Sequence, residues 1–241
     1  MLGADGYLVV SLLVVLGVRL LALAVRTRQL PELWIGLFFL CTAPGAGLML
    51  GVLEQWKQGV AVEWMVQLGL PLIALGTVCC YLFTCSTFRS GQRWAQGLAA
   101  AGSALCLWGC FTQLGGLHGQ LDSGRPHLSF VLARVLCFGW ATYEALRLYR
   151  MMRRRRAVGL GDPVVANRFL LFAVWSGSMG VLPMVHGLDR LLGGPVGYLR
   201  LLAIFPKSIG TVMLVSIVLT FFPPRAYLRW LRGAQPAEPM R

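Results

Sequence analysis

Residues Leu199 to Phe222 read LRLLAIFPKSIGTVMLVSIVLTFF, an apolar run with one charged residue beyond its first turn, Lys207. At about 1.5 Å per residue, an α-helix over this run is roughly 36 Å long, which exceeds the hydrocarbon core of about 30 Å. The run therefore predicts a transmembrane helix. Lys207 lies roughly 12 Å inside the first end of that helix, where a charge is costly unless it faces a polar cavity or a ligand.

The whole chain has the composition of a polytopic membrane protein. Hydrophobic residues make up 57% of its 241 residues and charged residues only 13%, which is too apolar for a soluble domain of this length. Apolar runs predict seven helices, at about 7–25, 33–53, 63–85, 94–114, 128–149, 169–188 and 199–222. Because the connections are short apart from 150–168, we expect an all-α integral membrane protein with a single seven-helix domain over residues 1–241.

The basic residues predict how the seven helices are oriented. Fifteen of the 22 Lys and Arg residues fall in alternate loops and the C-terminal tail: Arg26, Arg28, Arg89, Arg93, Arg147, Arg150, Arg153, Arg154, Arg155, Arg156, Arg168, Arg225, Arg229, Arg232 and Arg241. Since cytoplasmic loops are enriched in positive charge, the N-terminus is predicted outside and the C-terminus in the cytoplasm. The net charge of +13 is then a topology signal and does not indicate nucleic-acid binding. We expect the inner (plasma) membrane of a bacterial-type cell.

Two intramembrane cations form the main candidate site. Arg134 lies about 9 to 10 Å below the outer end of the fifth predicted helix, a depth similar to that of Lys207. No carboxylate is predicted at this depth, so the cations must be hydrated, reach the shallow acids Glu63 or Asp189, lose the lysine proton, or bind an anion. The candidate ligand-binding residues in the outer half of the bundle are Lys207, Arg134, Gln67, Trp175, Ser178 and His186.

Residues that carry enzyme or metal chemistry form no recognisable motif. The seven cysteines all fall in apolar runs, and Cys106 and Cys110 share a helix face with no nearby ligand, so we interpret them as packing residues. The three histidines match no metal-binding spacing, and no nucleophile elbow or phosphate loop is present. We therefore predict no catalytic residues, no metal and no cofactor, and we do not favour an enzyme.

The arginine run at 153–156 is predicted to lie on the cytoplasmic side. Clustered arginines beside a membrane attract anionic headgroups, so the run can contact membrane lipids. It can also bind a cytoplasmic partner, or serve only to fix the topology. The sequence leaves these interpretations open.

In topology the chain resembles microbial rhodopsins and, in outline, eukaryotic seven-helix receptors. The resemblance rests on seven helices, an outside N-terminus and a lysine in the last helix. Microbial rhodopsins have an aspartate four residues before the retinal lysine, where this chain has Ala203, and a carboxylate in the middle of helix three, where it has residues such as Gln67 and Thr77. Those carboxylates balance a protonated Schiff base, so we do not expect retinal.

These observations predict a seven-helix sensor or receptor-like protein that binds a small anionic or amphiphilic ligand in the outer half of the bundle. A small secondary transporter is the main alternative, since prolines at 44, 71, 183 and 206 allow helices to bend around a central site. A retinal-binding protein and a membrane-embedded lipid enzyme are less favoured.

The topology can be tested with introduced cysteines. We expect Arg154→Cys to react with an impermeant thiol reagent only from the cytoplasmic side and Lys57→Cys only from the outside, because an odd number of crossings separates them. The unmodified chain, whose cysteines all lie in apolar runs, gives the background signal. Labelling of both positions from the same face would show that the seven-helix count is wrong.

Overall fold

The computed structural model describes residues 4–57, 63–116, 124–191 and 210–233. Within these ranges the chain forms eight helices and no strand. The helices are α1 (Ala4–Thr27), α2 (Leu30–Lys57), α3 (Glu63–Phe88), α4 (Arg93–Gly116), α5 (Gly124–Ala157), α6 (Pro163–Leu191), α7 (Gly210–Phe221) and α8 (Arg225–Gly233).

Five of these helices, α1, α2, α3, α4 and α6, are long and apolar enough to cross a membrane. Helices α7 and α8 make a sixth candidate if the two are counted as one span bent by 83°. These apolar helices confirm the prediction of an all-helical, membrane-embedded protein. The count of seven and the orientation of the termini stay predictions. Helix α5 has 34 residues, but Arg134, Glu144 and the arginines at its end make it less apolar than the others.

The helices of the fifth and sixth runs extend beyond their apolar segments. Helix α5 continues through the arginine run because Arg and Met have favourable helix propensities. It ends at Ala157, two residues before Gly159, whose φ of 75° suits glycine, and the N–H groups of Gly159 and Leu160 donate to the carbonyls of Arg156 and Arg155. Asp162 Oδ1 then accepts a 2.8 Å hydrogen bond from Val164 N, so it caps the start of α6.

The chain divides into two compact units, which are described separately. The first comprises residues 1–137 and 183–193, and the second comprises 138–182 and 194–241. In the first unit α2 packs against α1 and α3, and α3 also packs against α4. A buried cluster joins α3, α4 and the first part of α5 through Leu70, Ile73, Ala74, Cys106, Cys110, Phe130 and Ala133.

A close backbone contact and a tyrosine hydrogen bond help to hold these helices of the first unit together. A Cβ atom at Gly109 of α4 would lie 2.6 Å from the backbone nitrogen of Phe130 on α5, so the two helices approach within a distance that only glycine allows. Tyr81 of α3 donates a 2.7 Å hydrogen bond from its hydroxyl to the carbonyl of Ala133 on α5. The buried tyrosine therefore finds a polar partner inside an apolar region.

In the second unit the last part of α5 packs on α6, and α8 is attached to the start of α6. The hydroxyls of Thr142 and Ser176 share a 2.9 Å hydrogen bond between α5 and α6. Helix α8 turns away from α7 by 83° after Pro223 and Pro224. The hydroxyl of Tyr227 on α8 accepts a 2.6 Å hydrogen bond from Asn167 Nδ2, which holds α8 against the first turns of α6.

The contact at Gly109 can be tested against a second glycine of the same helix. We expect Gly109→Ala to lower the free energy of unfolding by about 1–3 kcal/mol, because the added methyl group forces the backbones of α4 and α5 apart. Gly97→Ala should change it by no more than about 1 kcal/mol, since no atom lies within 4 Å of a Cβ there. Unfolding in detergent measures both, and equal effects would contradict the close contact.

Candidate functional site

Arg134 is the candidate residue with the most distinctive surroundings. It lies on α5 in the first unit, partly buried, and its guanidinium carbon is 5.8 Å from the centre of the Phe130 ring. Helical side chains point back toward the N-terminus of their helix, so the guanidinium reaches the turn that contains Phe130. The aromatic face gives partial compensation for the charge.

The Nε atom of Arg134 is fully enclosed and has no hydrogen-bond partner among the described residues. Among the described residues, no carboxylate lies within salt-bridge distance of Arg134. Glu144, which lies on the same helix, forms an ion pair with Arg147. The closest titratable neighbours of Arg134 are the thiols of Cys106 and Cys137, which are weak acceptors. A buried hydrogen-bond donor without a partner costs about 1–3 kcal/mol, or more when it belongs to a charged group, so the enclosed Nε of Arg134 is unfavourable for stability.

The other predicted site residues lie in several environments. Gln67 is exposed on α3, and no hydrogen bond joins it to Arg134. Trp175 is buried on α6 against the ring of Phe172, with centroids 5.0 Å apart in an edge-on arrangement. Ser178 follows it by three residues and donates a 2.8 Å hydrogen bond to the carbonyl of Val174. Trp175 and Ser178 therefore share one part of α6 in the second unit.

Two predicted site residues fall outside what is described. Lys207 lies outside the described ranges, and of His186 only the helical backbone is described. The proposal that Arg134 and Lys207 form a pair therefore stays a prediction.

The cysteines of the first unit fill space between helices. Cys106 Sγ lies 3.9 Å from the carbonyl of Ala74, and Cys137 Sγ lies 3.6 Å from that of Thr77. Both are fully buried, as expected of small packing residues that make weak hydrogen bonds. Across the described residues, no group of three or more His, Cys, Asp or Glu side chains is placed to hold a metal ion.

A second charged feature, which we call the basic groove, lies on α5 in the second unit. It has a volume of about 350 Å³ and is lined by Tyr143, Leu146, Arg147, Arg150, Met151 and Arg154. Arg147 donates to Oε2 of Glu144 at 3.2 Å, and the carboxylate is 1% exposed. The buried carboxylate therefore holds one arginine of the groove in a defined position.

This groove is not apparent from the sequence when the arginines are considered as one tract at 153–156. The groove follows instead from the helical spacing of Tyr143, Arg147, Arg150 and Arg154, which places these side chains on one face. Arg153 belongs to a different contact, because its guanidinium carbon lies 5.9 Å from the centre of the Tyr149 ring.

These features describe an all-helical membrane-embedded protein with an enclosed cation and a basic groove. Comparison with protein-family profiles, curated proteins and solved structures finds no match to this chain.

Replacing Arg134 by an apolar side chain of similar length tests whether the arginine is kept at the expense of stability. We expect Arg134→Met to raise the free energy of unfolding by about 1–4 kcal/mol, because it removes a desolvated charge and retains the packing. Thermal unfolding in detergent, without added ligand, measures the change.

Tyr81→Phe provides the comparison, since it removes a hydrogen bond to Ala133 and should lower stability by about 0.5–1.5 kcal/mol. If Arg134→Met instead lowers the free energy of unfolding as much as truncation of a core side chain does, the arginine stabilises the fold.

Proposed function

We propose that the protein is a seven-helix sensor or receptor-like protein that binds a small anionic amphiphile in the outer half of the bundle. Arg134 and Lys207 bind the anionic group, with Gln67, Trp175, Ser178 and His186 lining the remainder of the site. In this proposal the N-terminus is outside, the C-terminus is cytoplasmic, and the membrane is the inner (plasma) membrane of a bacterial-type cell. The arginine run at 153–156 contacts lipid or a cytoplasmic partner.

The observation that carries this proposal is the unpaired Nε of Arg134. Among the described residues, no carboxylate and no hydrogen-bond acceptor compensates the enclosed Nε atom of Arg134, because the surrounding side chains are apolar or weakly polar. A charge of this kind is stabilised when an anion binds. An amphiphile is favoured over a hydrophilic anion because the ring of Phe130, 5.8 Å from the guanidinium carbon, presents apolar surface beside the cation.

The proposed topology is supported by the distribution of arginines and by the helices themselves. Five spans are long and apolar enough, the predicted run 199–222, which ends in α7, gives a sixth, and α5 at about 51 Å is long enough to supply the seventh. Its two intramembrane charges, Arg134 and Glu144, explain its weaker apolar character. Both charges are the kind that membrane proteins keep at functional sites.

Oleate and oleyl alcohol provide a matched pair of probes, since they share one acyl chain and differ in charge. We expect oleate at about 100 times its Kd to stabilise the purified protein by about 2.7 kcal/mol, while oleyl alcohol has a much smaller effect. The double variant Arg134→Ala, Lys207→Ala should lose the response to oleate. Thermal unfolding in a neutral detergent measures the shifts.

Arg168→Ala is the control variant, because Arg168 is exposed near the start of α6 and should leave the response unchanged. Equal stabilisation by the two probes would argue against an anion site.

Added retinal should produce no visible absorption band, and a stable band that Lys207→Ala abolishes would replace this proposal with a Schiff-base site.

A further inference from the structure

The basic groove lies on the part of α5 that belongs to the second unit, and it deepens the lipid contact proposed above, because Arg154 is the residue of the run at 153–156 that lines it. The groove does not depend on the anion site proposed at Arg134. Its six lining residues change in character along the helix, with Tyr143 and Leu146 at one end and Arg150 and Arg154 at the other. Tyr143 is 61% exposed. One end of the groove is therefore aromatic and apolar, whereas the other end is cationic.

Helix α8 indicates the level of the membrane surface in this unit. It turns by 83° from α7, whose residues are uncharged and mostly apolar. The short sequence of α8, RAYLRWLRG, alternates arginines with large apolar side chains. A helix of this composition lies in the interface between headgroups and acyl chains. Trp230 is 67% exposed and stacks on Tyr227 with ring centroids 6.0 Å apart, and both residue types favour this interface.

Two contacts of α6 show which residue of α5 lies at the depth of α8. Tyr227 of α8 is hydrogen-bonded to Asn167, and nine residues farther along α6 Ser176 is bonded to Thr142 of α5. Helices α5 and α6 are joined by a short loop and run antiparallel. The residue of α5 that lies at the same depth as Asn167 of α6 is therefore nine residues beyond Thr142. That residue is Met151, about 13.5 Å along α5 from Thr142.

The groove consequently extends from the interface into the hydrocarbon region. Arg150 and Arg154 flank the level of Met151, Arg147 lies about 6 Å deeper, and Tyr143 lies about 12 Å deeper. A phospholipid has the same order of chemical groups over a similar distance, with an anionic headgroup at the interface and acyl chains below it.

We propose that the basic groove binds one anionic phospholipid, with its phosphate group on Arg150 and Arg154 and an acyl chain along Leu146 and Tyr143. Guanidinium groups bind phosphate oxygens through paired hydrogen bonds, which favours arginine over lysine at such a site. Arg147 adds positive charge below the phosphate, and its ion pair with Glu144 sets its position. No ion pair engages Arg150 or Arg154 within the described residues, so their donors are available.

Native mass spectrometry of the full-length protein in neutral detergent tests the proposal with dioleoyl phosphatidylglycerol as the probe. We expect one bound phosphatidylglycerol per chain and little bound phosphatidylcholine at the same concentration. The variant Arg150→Gln, Arg154→Gln should weaken binding of phosphatidylglycerol at least about tenfold, since two arginines at the interface contribute that much to headgroup binding.

The matched control is Arg153→Gln, Arg155→Gln, which removes the same charge from exposed residues that do not line the groove. It should change binding less than about threefold. Equal losses in the two double variants would overturn the proposal in favour of diffuse attraction to the whole arginine run. Equal binding of phosphatidylcholine would also overturn it.

Two further measurements separate the lipid from other sources of phosphate. Inorganic phosphate at the concentration of the lipid should not displace phosphatidylglycerol, and displacement would identify a site for free phosphate in place of lipid. Arg150→Lys, Arg154→Lys should restore only part of the affinity, because lysine keeps the charge and lacks the paired donors. Circular dichroism confirms that the variants are folded, and an unchanged affinity in a folded Arg150→Gln, Arg154→Gln variant would refute the site.

Discussion

Polar side chains inside apolar helices are costly unless they find hydrogen-bond partners within the chain, and this constraint shapes the described structure. Thr77 and Thr84 of α3 each donate to the carbonyl four residues earlier, at 2.9 Å. Such bonds satisfy a hydroxyl locally, without help from another helix. Thr142 does the same with Phe138 at 2.7 Å, and its hydroxyl also meets Ser176 on the next helix. The bonds that cross between helices therefore set which turns face each other.

Arg134 and Glu144 show two outcomes for a charge on the same helix. Glu144 is almost completely buried and is paired with Arg147 at the next turn. Arg134 has an enclosed Nε without a partner in the described residues and rests against an aromatic ring. A buried ion pair is close to neutral for stability, whereas an uncompensated cation is costly. Retaining such a cation is typical of residues kept for function at a cost in stability.

The sequence predicted the helices well where the apolar run covers nearly the whole helix. Apolar length located α1 to α4 within a few residues, because membrane-spanning segments must satisfy their backbone internally. It placed the end of α5 at 149, although the helix runs to Ala157, since an apolar run marks the hydrocarbon region and not the helix. It placed the start of α6 at 169, although the helix begins at Pro163, where Asp162 caps it. The groove could not be predicted from the depth of residues along α5 alone, because it depends on which side chains share a face of the helix. The contact between Tyr81 and Ala133 depends on packing that no local sequence pattern encodes.

The hydrogen bond from Tyr81 to Ala133 also has a consequence for biogenesis. The two residues are separated by 52 positions, so the acceptor is synthesised well after the donor. At about 5–20 residues per second, the hydroxyl of Tyr81 exists for about 3–10 s before α5 emerges from the ribosome. During that interval α3 and α4 can pair, but the hydroxyl needs a temporary partner such as water or the insertion machinery. The contact between α3 and α5 at this position can therefore form only after α5 has been synthesised, and the 183–193 part of the first unit follows later still.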